Sequence, residues 1–268
     1  MTSAGARIGE GRTAEIYTWG DHQVLKLFHT GVPPENVDYE ARIAKIITKA
    51  GVSAPVFGGV VEVNGRRGIL YEYIQGISMR RQMQENPWHL LRFARQFAEV
   101  HAAVHERSAL ELPSQHERIG QRISRAHRLS ETSKSRLLSR LEALPEANNV
   151  CHGDFHPDNI LVSPHSLMVI DWTDAKRGSP AADIARTTIL LTESALPAHL
   201  NPAARLFFNG FRRLFYHAYM SRYAQIRPLA LAEVQAWIPL QAAARLSEGI
   251  EEEEKRLLYL SNIEYQKE

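Results

Sequence analysis

The feature that most constrains the fold is a change of hydrophobic period near Gly76. Before it, apolar residues come in short runs, 14–19 and 24–28 across Gly20-Asp21, then 56–63 and 68–73 across Asn64-Gly65. Runs of that length, bounded by glycine-containing pairs, predict hairpin strands. Between the hairpins, Pro33-Pro34 open a predicted helix over about 35–49, with Val37, Ala41, Ala44 and Ile47 at helical spacing and Gly51 as terminator. Beyond Gly76 the spacing turns helical, over 88–107, 115–130, 133–144 and from 181 onward. In the first of these stretches Leu91, Ala94, Ala98, Ala102 and His105 are expected on one face. The expected architecture is α+β: a small antiparallel-sheet part over 1–76 and a mainly helical part over 77–268, with a linker at Gly76.

Composition narrows the function classes. The chain has 268 residues and a formal charge of +2, too nearly neutral to signal a nucleic-acid partner. Cys151 is its one cysteine, so no internal disulfide is expected, which fits a cytoplasmic protein. No run of about 18 apolar residues or signal-like N-terminus predicts membrane association. No obligate protein partner is implied.

The helical part is interrupted by one motif-rich segment, His152-Gly153-Asp154-Phe155-His156-Pro157-Asp158-Asn159, running into strand candidates at 160–162 and 167–170. Gly153 and Pro157 argue against helix, so Asp154 and Asn159 share a loop. Phosphoryl transfer needs a carboxylate to orient the attacking hydroxyl and oxygen ligands for Mg²⁺. Asp154 suits the first role; Asn159 and the strand-terminal Asp171 suit the second. Pairing of the two short strands would bring Asp171 beside Asn159. Two other readings stand beside this one: the residues cap turns, or His152, Asp154 and His156 bind zinc or iron.

The segment resembles the catalytic loop of the aminoglycoside phosphotransferase family, small-molecule kinases of protein-kinase-like fold. Ile170-Asp171-Trp172 resembles that family's magnesium-binding strand end, and Ala182-Asp183-Ile184-Ala185-Arg186 the helix start that follows. The resemblance implies Asp154 as catalytic base, Asn159 and Asp171 as magnesium ligands, Asp183 as a structural acid bracing the loop, and ATP as phosphate donor between two lobes. The N-terminal part fits this expectation. Ile8-Gly9-Glu10-Gly11-Arg12-Thr13-Ala14 suits a phosphate-covering loop through Gly9 and Gly11, although Ala14 stands where a third glycine is usual in protein kinases. Lys26, in an otherwise apolar strand, either meets solvent or takes a partner, and Glu40 in the next helix is the natural one. Together they resemble the lysine–glutamate pair that positions phosphates. The stretch from Leu70 to Gly76 resembles an inter-lobe hinge, with adenine bonding to backbone groups of Glu72 and Ile74.

Trp172-Thr173 follows Asp171 where protein kinases carry Phe-Gly, and no Ala-Pro-Glu segment follows, so a small-molecule acceptor is expected rather than a protein. The alternative is a nucleotide-binding regulatory module without activity. The acidic stretch Glu248 and Glu251 to Glu254 reads either as a surface for a polycation or as a solvated helix face. Arg118, Arg122 and Arg125 form a basic face opposite Ile119, Ile123 and Ala126. If that face lines the cleft, an anionic acceptor is favoured. Trp172, Tyr216 and Tyr219 read as core or as an aromatic cage for a quaternary amine.

Overall fold

A computed structural model describes residues 4–196 and 199–262. In chain order the elements begin β1 (Ala4–Glu10), β2 (Ala14–Trp19), β3 (Gln23–Phe28), α1 (Pro34–Ala50), β4 (Phe57–Val63), β5 (Arg66–Glu72), β6 (Ile77–Ser78), α2 (Met79–Glu85) and α3 (Leu90–His105). There follow α4 (Gln115–Arg125), α5 (Glu131–Glu142), β7 (Asn149–Cys151), β8 (Ile160–Val162), β9 (Leu167–Val169) and β10 (Lys176–Gly178). Helices α6 (Pro180–Thr192), α7 (Pro202–Ile226), α8 (Leu231–Leu246) and α9 (Glu251–Ser261) complete the described chain. No described helix is long and apolar enough to cross a membrane.

The chain divides into two compact units. One comprises residues 1–82 and 158–174, the other 83–157 and 175–268. The division at Gln82 falls past the expected Gly76, and the short β8–β9 segment belongs with the N-terminal strands.

In the first unit a five-stranded antiparallel sheet has the order β1-β2-β3-β5-β4. The β4–β5 turn places both Asn64 and Gly65 at positive φ, the geometry that matches strand twist in a two-residue hairpin. Helix α1 starts with Pro34 at its first position and stops at Gly51, whose φ of 68° is left-handed. The two-residue period of β3 sends Leu25 and Leu27 to one face, clustered with Leu70. Phe28 takes the other face, packed with Val37 and Ala41 of α1 and with Ile69. Lys26 shares the Phe28 side of that alternation. A second, three-stranded antiparallel sheet runs β6-β8-β9.

In the second unit α3 packs on α7, and α8 packs on α4, α6 and α9. Serine caps start two of the helices: Ser114 accepts from the Glu117 N–H and Ser130 from the Ser133 N–H. Helix α4 stops at Arg125, short of the expected 130. Ile119, Ile123 and Ala126 are buried as the spacing predicts. On α3 the buried stripe is Leu90, Phe93, Ala94, Phe97, Ala98, His101, Ala102 and His105, whereas Leu91 is exposed. The expected face was therefore turned slightly too far toward Leu91. Strands β7 and β10 pair antiparallel and flank the motif-rich loop.

Candidate active site

In the first unit, Lys26 Nζ lies 2.7 Å from Glu40 Oε1, and the Tyr71 hydroxyl donates to the same oxygen at 3.2 Å. Strand β3 fixes Lys26 on the helix-facing side, opposite Ile16 and Ile69 in the neighbouring strands. Burial, then the negative charge of Glu40, pushes the Tyr71 phenol well above its ordinary value, so it remains a donor. The pair is thus built into the unit, with a fixed cation emerging from an apolar strand.

Gly9 is the penultimate residue of β1, facing Ile16, and Gly11 makes the turn into β2, its N–H bonded to the Ala14 carbonyl at 2.8 Å. The stretch read as a loop is therefore a strand end and a tight turn. At the end of β5, Glu72 donates its N–H to the Val56 carbonyl at 2.9 Å, and its carboxylate accepts from the Val56 N–H. Ile74 lies two residues beyond that strand, in a stretch from 73 to 76 outside any strand, where the Tyr73 N–H bonds the His22 carbonyl at 2.8 Å.

Strands β8 and β9 pair through Ile160–Val169, Leu161–Met168 and Val162–Leu167. The Ile170 N–H extends the ladder to the Asn159 carbonyl at 2.9 Å, setting Asn159 opposite Ile170 and so one residue from the position facing Asp171. Asp171 has φ 61°, a left-handed conformation unusual outside glycine, and Thr173 donates to its Oδ1 at 3.0 Å. An amide oxygen and a carboxylate, both hard oxygen donors on one hairpin base, fit magnesium. Arg80 pairs with Asp158 at 2.9 Å in the same unit.

The second unit carries the other half of the loop. Asp154 Oδ2 is 3.3 Å from His156 Nε2, and Oδ1 is 3.8 Å from Arg186 Nη2. Burial alone would raise the Asp154 carboxyl, but His156, then Arg186 and His152, hold it down at about 2. It is ionised throughout the neutral range. Gly153, at φ 81°, supplies the backbone reversal before it.

Beneath the loop lies a closed polar network. Asp183, near the N-terminus of α6, accepts the His152 N–H at 2.7 Å on Oδ2 and the Gly153 N–H at 2.8 Å on Oδ1. His101 and His105, four residues apart on α3, each place Nε2 3.2 Å from Oδ2. Their Nδ1 atoms are each 2.8 Å from a tyrosine hydroxyl, Tyr219 for His101 and Tyr223 for His105. Burial, then His105, pushes His101 down to about 3, so its ring is neutral. Burial would raise Asp183, yet the two histidines hold its carboxyl well below the usual range. Phe155 stacks on the His101 ring at 3.8 Å, tying the loop side chain to the same core.

The expected bracing acid thus lies under the backbone of the loop at 152–153, while Lys26 and Glu40 meet directly and Asn159 and Asp171 share the base of one hairpin. Sequence reasoning gave no site role to His101, which holds Asp183, or to Arg186, which faces Asp154. A pair of histidines four apart on an apolar helical stripe was the available signal, since buried polar side chains need partners. His152 is buried, with Nδ1 3.2 Å from the Asp154 N–H. The cluster of three metal-capable groups among the described residues is instead His101, His105 and Asp183, whose carboxylate is already occupied by N–H donors. Tyr219 is fully buried and Trp172 donates to the Val169 carbonyl, so both are core.

Solved structures share this architecture. An aminoglycoside-3'-phosphotransferase of type VIII superposes with TM-score 0.60 at 18% identity, covering 92% of this chain and 93% of the other. A macrolide 2'-phosphotransferase from Brachybacterium faecium gives TM-score 0.53 at 16% identity, over 96% and 92% of the two chains. An aminoglycoside phosphotransferase from Streptomyces rimosus, in complex with ADP and streptomycin, gives 0.53 at 19%, over 88% and 91%. The fold is therefore that of the kinase-like phosphotransferases. No curated protein matches the chain in sequence. Residues 5–233 match the model of the phosphotransferase enzyme family, and the chain belongs to that family.

Proposed function

We propose that the protein transfers the γ-phosphate of ATP, with magnesium, to a hydroxyl of a small molecule. The observation that carries this reading is Asp154: an ionised, one-third exposed carboxylate on a loop anchored from below by Asp183. The same loop reaches Asn159 five residues later. Family membership supports phosphotransfer, and the Streptomyces relative with ADP and streptomycin supports a nucleotide donor and a small acceptor.

In this reading Asp154 orients the acceptor hydroxyl and takes its proton as oxygen attacks the γ-phosphorus. The bond from phosphorus to the ADP oxygen breaks, and ADP leaves. Lys26, held by Glu40 and Tyr71, offers a preoriented cation to the donor phosphates. The Gly9–Gly11 turn covers them, and backbone groups at Glu72 and Ile74 take the adenine. Magnesium, when bound by Asn159 and Asp171, neutralises phosphate charge.

The test is ADP release with ATP and Mg²⁺ across aminoglycosides, amino alcohols, hydroxy acids and sugars, with Asp154→Ala as control. Release that depends on one acceptor class and is lost in the variant, with nucleotide binding kept, is the expected result. Nucleotide binding without acceptor-stimulated release would favour a regulatory module. Failure to bind nucleotide would overturn the proposal.

A further inference from the structure

The sheet face opposite Lys26 carries a cavity that phosphotransfer leaves unused. On β3, Gln23 follows the two-residue period of Leu25 and Leu27, and on β5 Glu72 follows that of Leu70. Trp19 pairs with Gln23 across β2 and β3, and Gln23 with Glu72 across β3 and β5. An indole, an amide and a carboxylate thus stand in one row on three neighbouring strands. The row walls a cavity of about 520 Å³, bounded by Asp21 and His22 of the β2–β3 turn on one side and by Val56 and Gly58 on the other.

The backbone shapes this space. A bulge in β4 shifts the register between Phe57 and Gly59, and Gly59 takes φ 126°. Gly58 is thereby set against Gln23: a Cβ there would lie 2.5 Å from Gln23 Nε2 and 3.2 Å from the Leu70 Cβ. Only glycine at 58 lets the amide rest along the wall. Glu72 Oε2 accepts the Val56 N–H at 3.2 Å, and Oε1 has no donor among the described residues. Neither the Asp21 carboxylate nor the Trp19 indole N–H has a hydrogen-bond partner among them.

The wall therefore offers two carboxylates, a half-buried indole and an apolar Val56, with no lysine or arginine. An indole face and carboxylates complement a cation that also carries carbon. A bare metal ion would leave most of the space unfilled, whereas the volume lies within the roughly 300–1,000 Å³ of small-molecule sites. We infer that this cavity binds a small aliphatic amine, its ammonium held by the Asp21 and Glu72 carboxylates and its carbon chain against Trp19 and Val56. The site lies on the sheet face away from the Lys26–Glu40 pair, and the inference stands independently of the kinase reading.

The test is calorimetry on the full chain with two matched pairs, butylamine against 1-butanol and 1,4-diaminobutane against 1,4-butanediol. Saturable one-to-one binding of an amine, about 10-fold or more tighter than its alcohol, is the expected result, the scale of one charged hydrogen bond. Asp21→Asn keeps a side chain suited to the turn and should weaken the amine about 10-fold with the melting temperature unchanged. Trp19→Phe should weaken it about 2- to 5-fold. Asp154→Asn should leave it unaltered. Equal binding of amine and alcohol, no saturation by either amine below about 10 mM, or wild-type affinity in Asp21→Asn would overturn the inference. Loss of amine binding in Asp154→Asn, with Asp21→Asn unaffected, would also overturn it and leave the kinase reading intact.

Discussion

Replacing Asp183 by Asn tests the physical account of the loop most directly. The carboxylate accepts four N–H groups: Gly153 on Oδ1, and His152, His101 and His105 on Oδ2. An amide offers one oxygen. In its better orientation the oxygen keeps the three donors of Oδ2, and the new NH₂ confronts the Gly153 N–H. That unsatisfied buried donor costs about 1–3 kcal/mol, and each remaining bond loses roughly 1 kcal/mol as its acceptor becomes neutral. Allowing for the desolvation that a neutral group avoids, the net loss is about 3–5 kcal/mol. In a chain of this length that lowers the melting temperature by roughly 10 °C or more. The carboxyl is held below its ordinary value in the folded state, so its contribution is complete above the unfolded value and fades as pH falls. The difference between wild type and Asp183→Asn should therefore shrink on acidification from pH 5 toward pH 3. Urea melts followed by circular dichroism at pH 7, 5 and 4 measure it. A variant within about 1 kcal/mol of wild type at pH 7 would refute the idea that this carboxylate anchors the loop.

Further outcomes follow from the same contacts. His101, neutral when folded with a value near 3, leaves the unfolded chain holding one more proton between about pH 6.5 and 3. Stability should fall there by up to about 1.4 kcal/mol per pH unit from this residue, a slope that His101→Gln removes. Glu253→Gln removes the two-oxygen charged clamp on the buried Arg245, which keeps only Glu248, and equilibrium unfolding should register a loss of about 1.5–3 kcal/mol. Lys26→Ala should weaken nucleotide binding about 10- to 100-fold by calorimetry while leaving the far-ultraviolet spectrum intact. Cys151 is fully buried and burial raises its thiol, so Ellman's reagent should label the protein only as it unfolds.

The hairpins, helix α1 and the helical character after Gly76 were legible because each is specified locally. Asn64-Gly65 has only one comfortable turn geometry, and Pro34 and Gly51 bracket α1 by their own backbone limits. Lys26 and Glu40 were legible as a pair because a charge in an apolar strand demands a partner. Strand β1 was not, since its exposed residues carry no apolar alternation. Nor were β7 and β10, each three residues long and set by pairing with the other.

The acidic stretch shows the limit best. Read along the chain, Glu251 to Glu254 forms one run of like residues. In the fold Glu251 and Glu252 are exposed, Glu253 is buried on Arg245, and Glu254 pairs with Arg128. The order of residues by itself determined the hairpins, the main helices and the motif of phosphotransfer groups, because propensity and short-range sterics act within a few residues. Tertiary structure decided which histidines hold Asp183 and which carboxylates are already neutralised. Those contacts join residues from 8 to more than 80 positions apart, and their strength depends on burial, which only packing supplies.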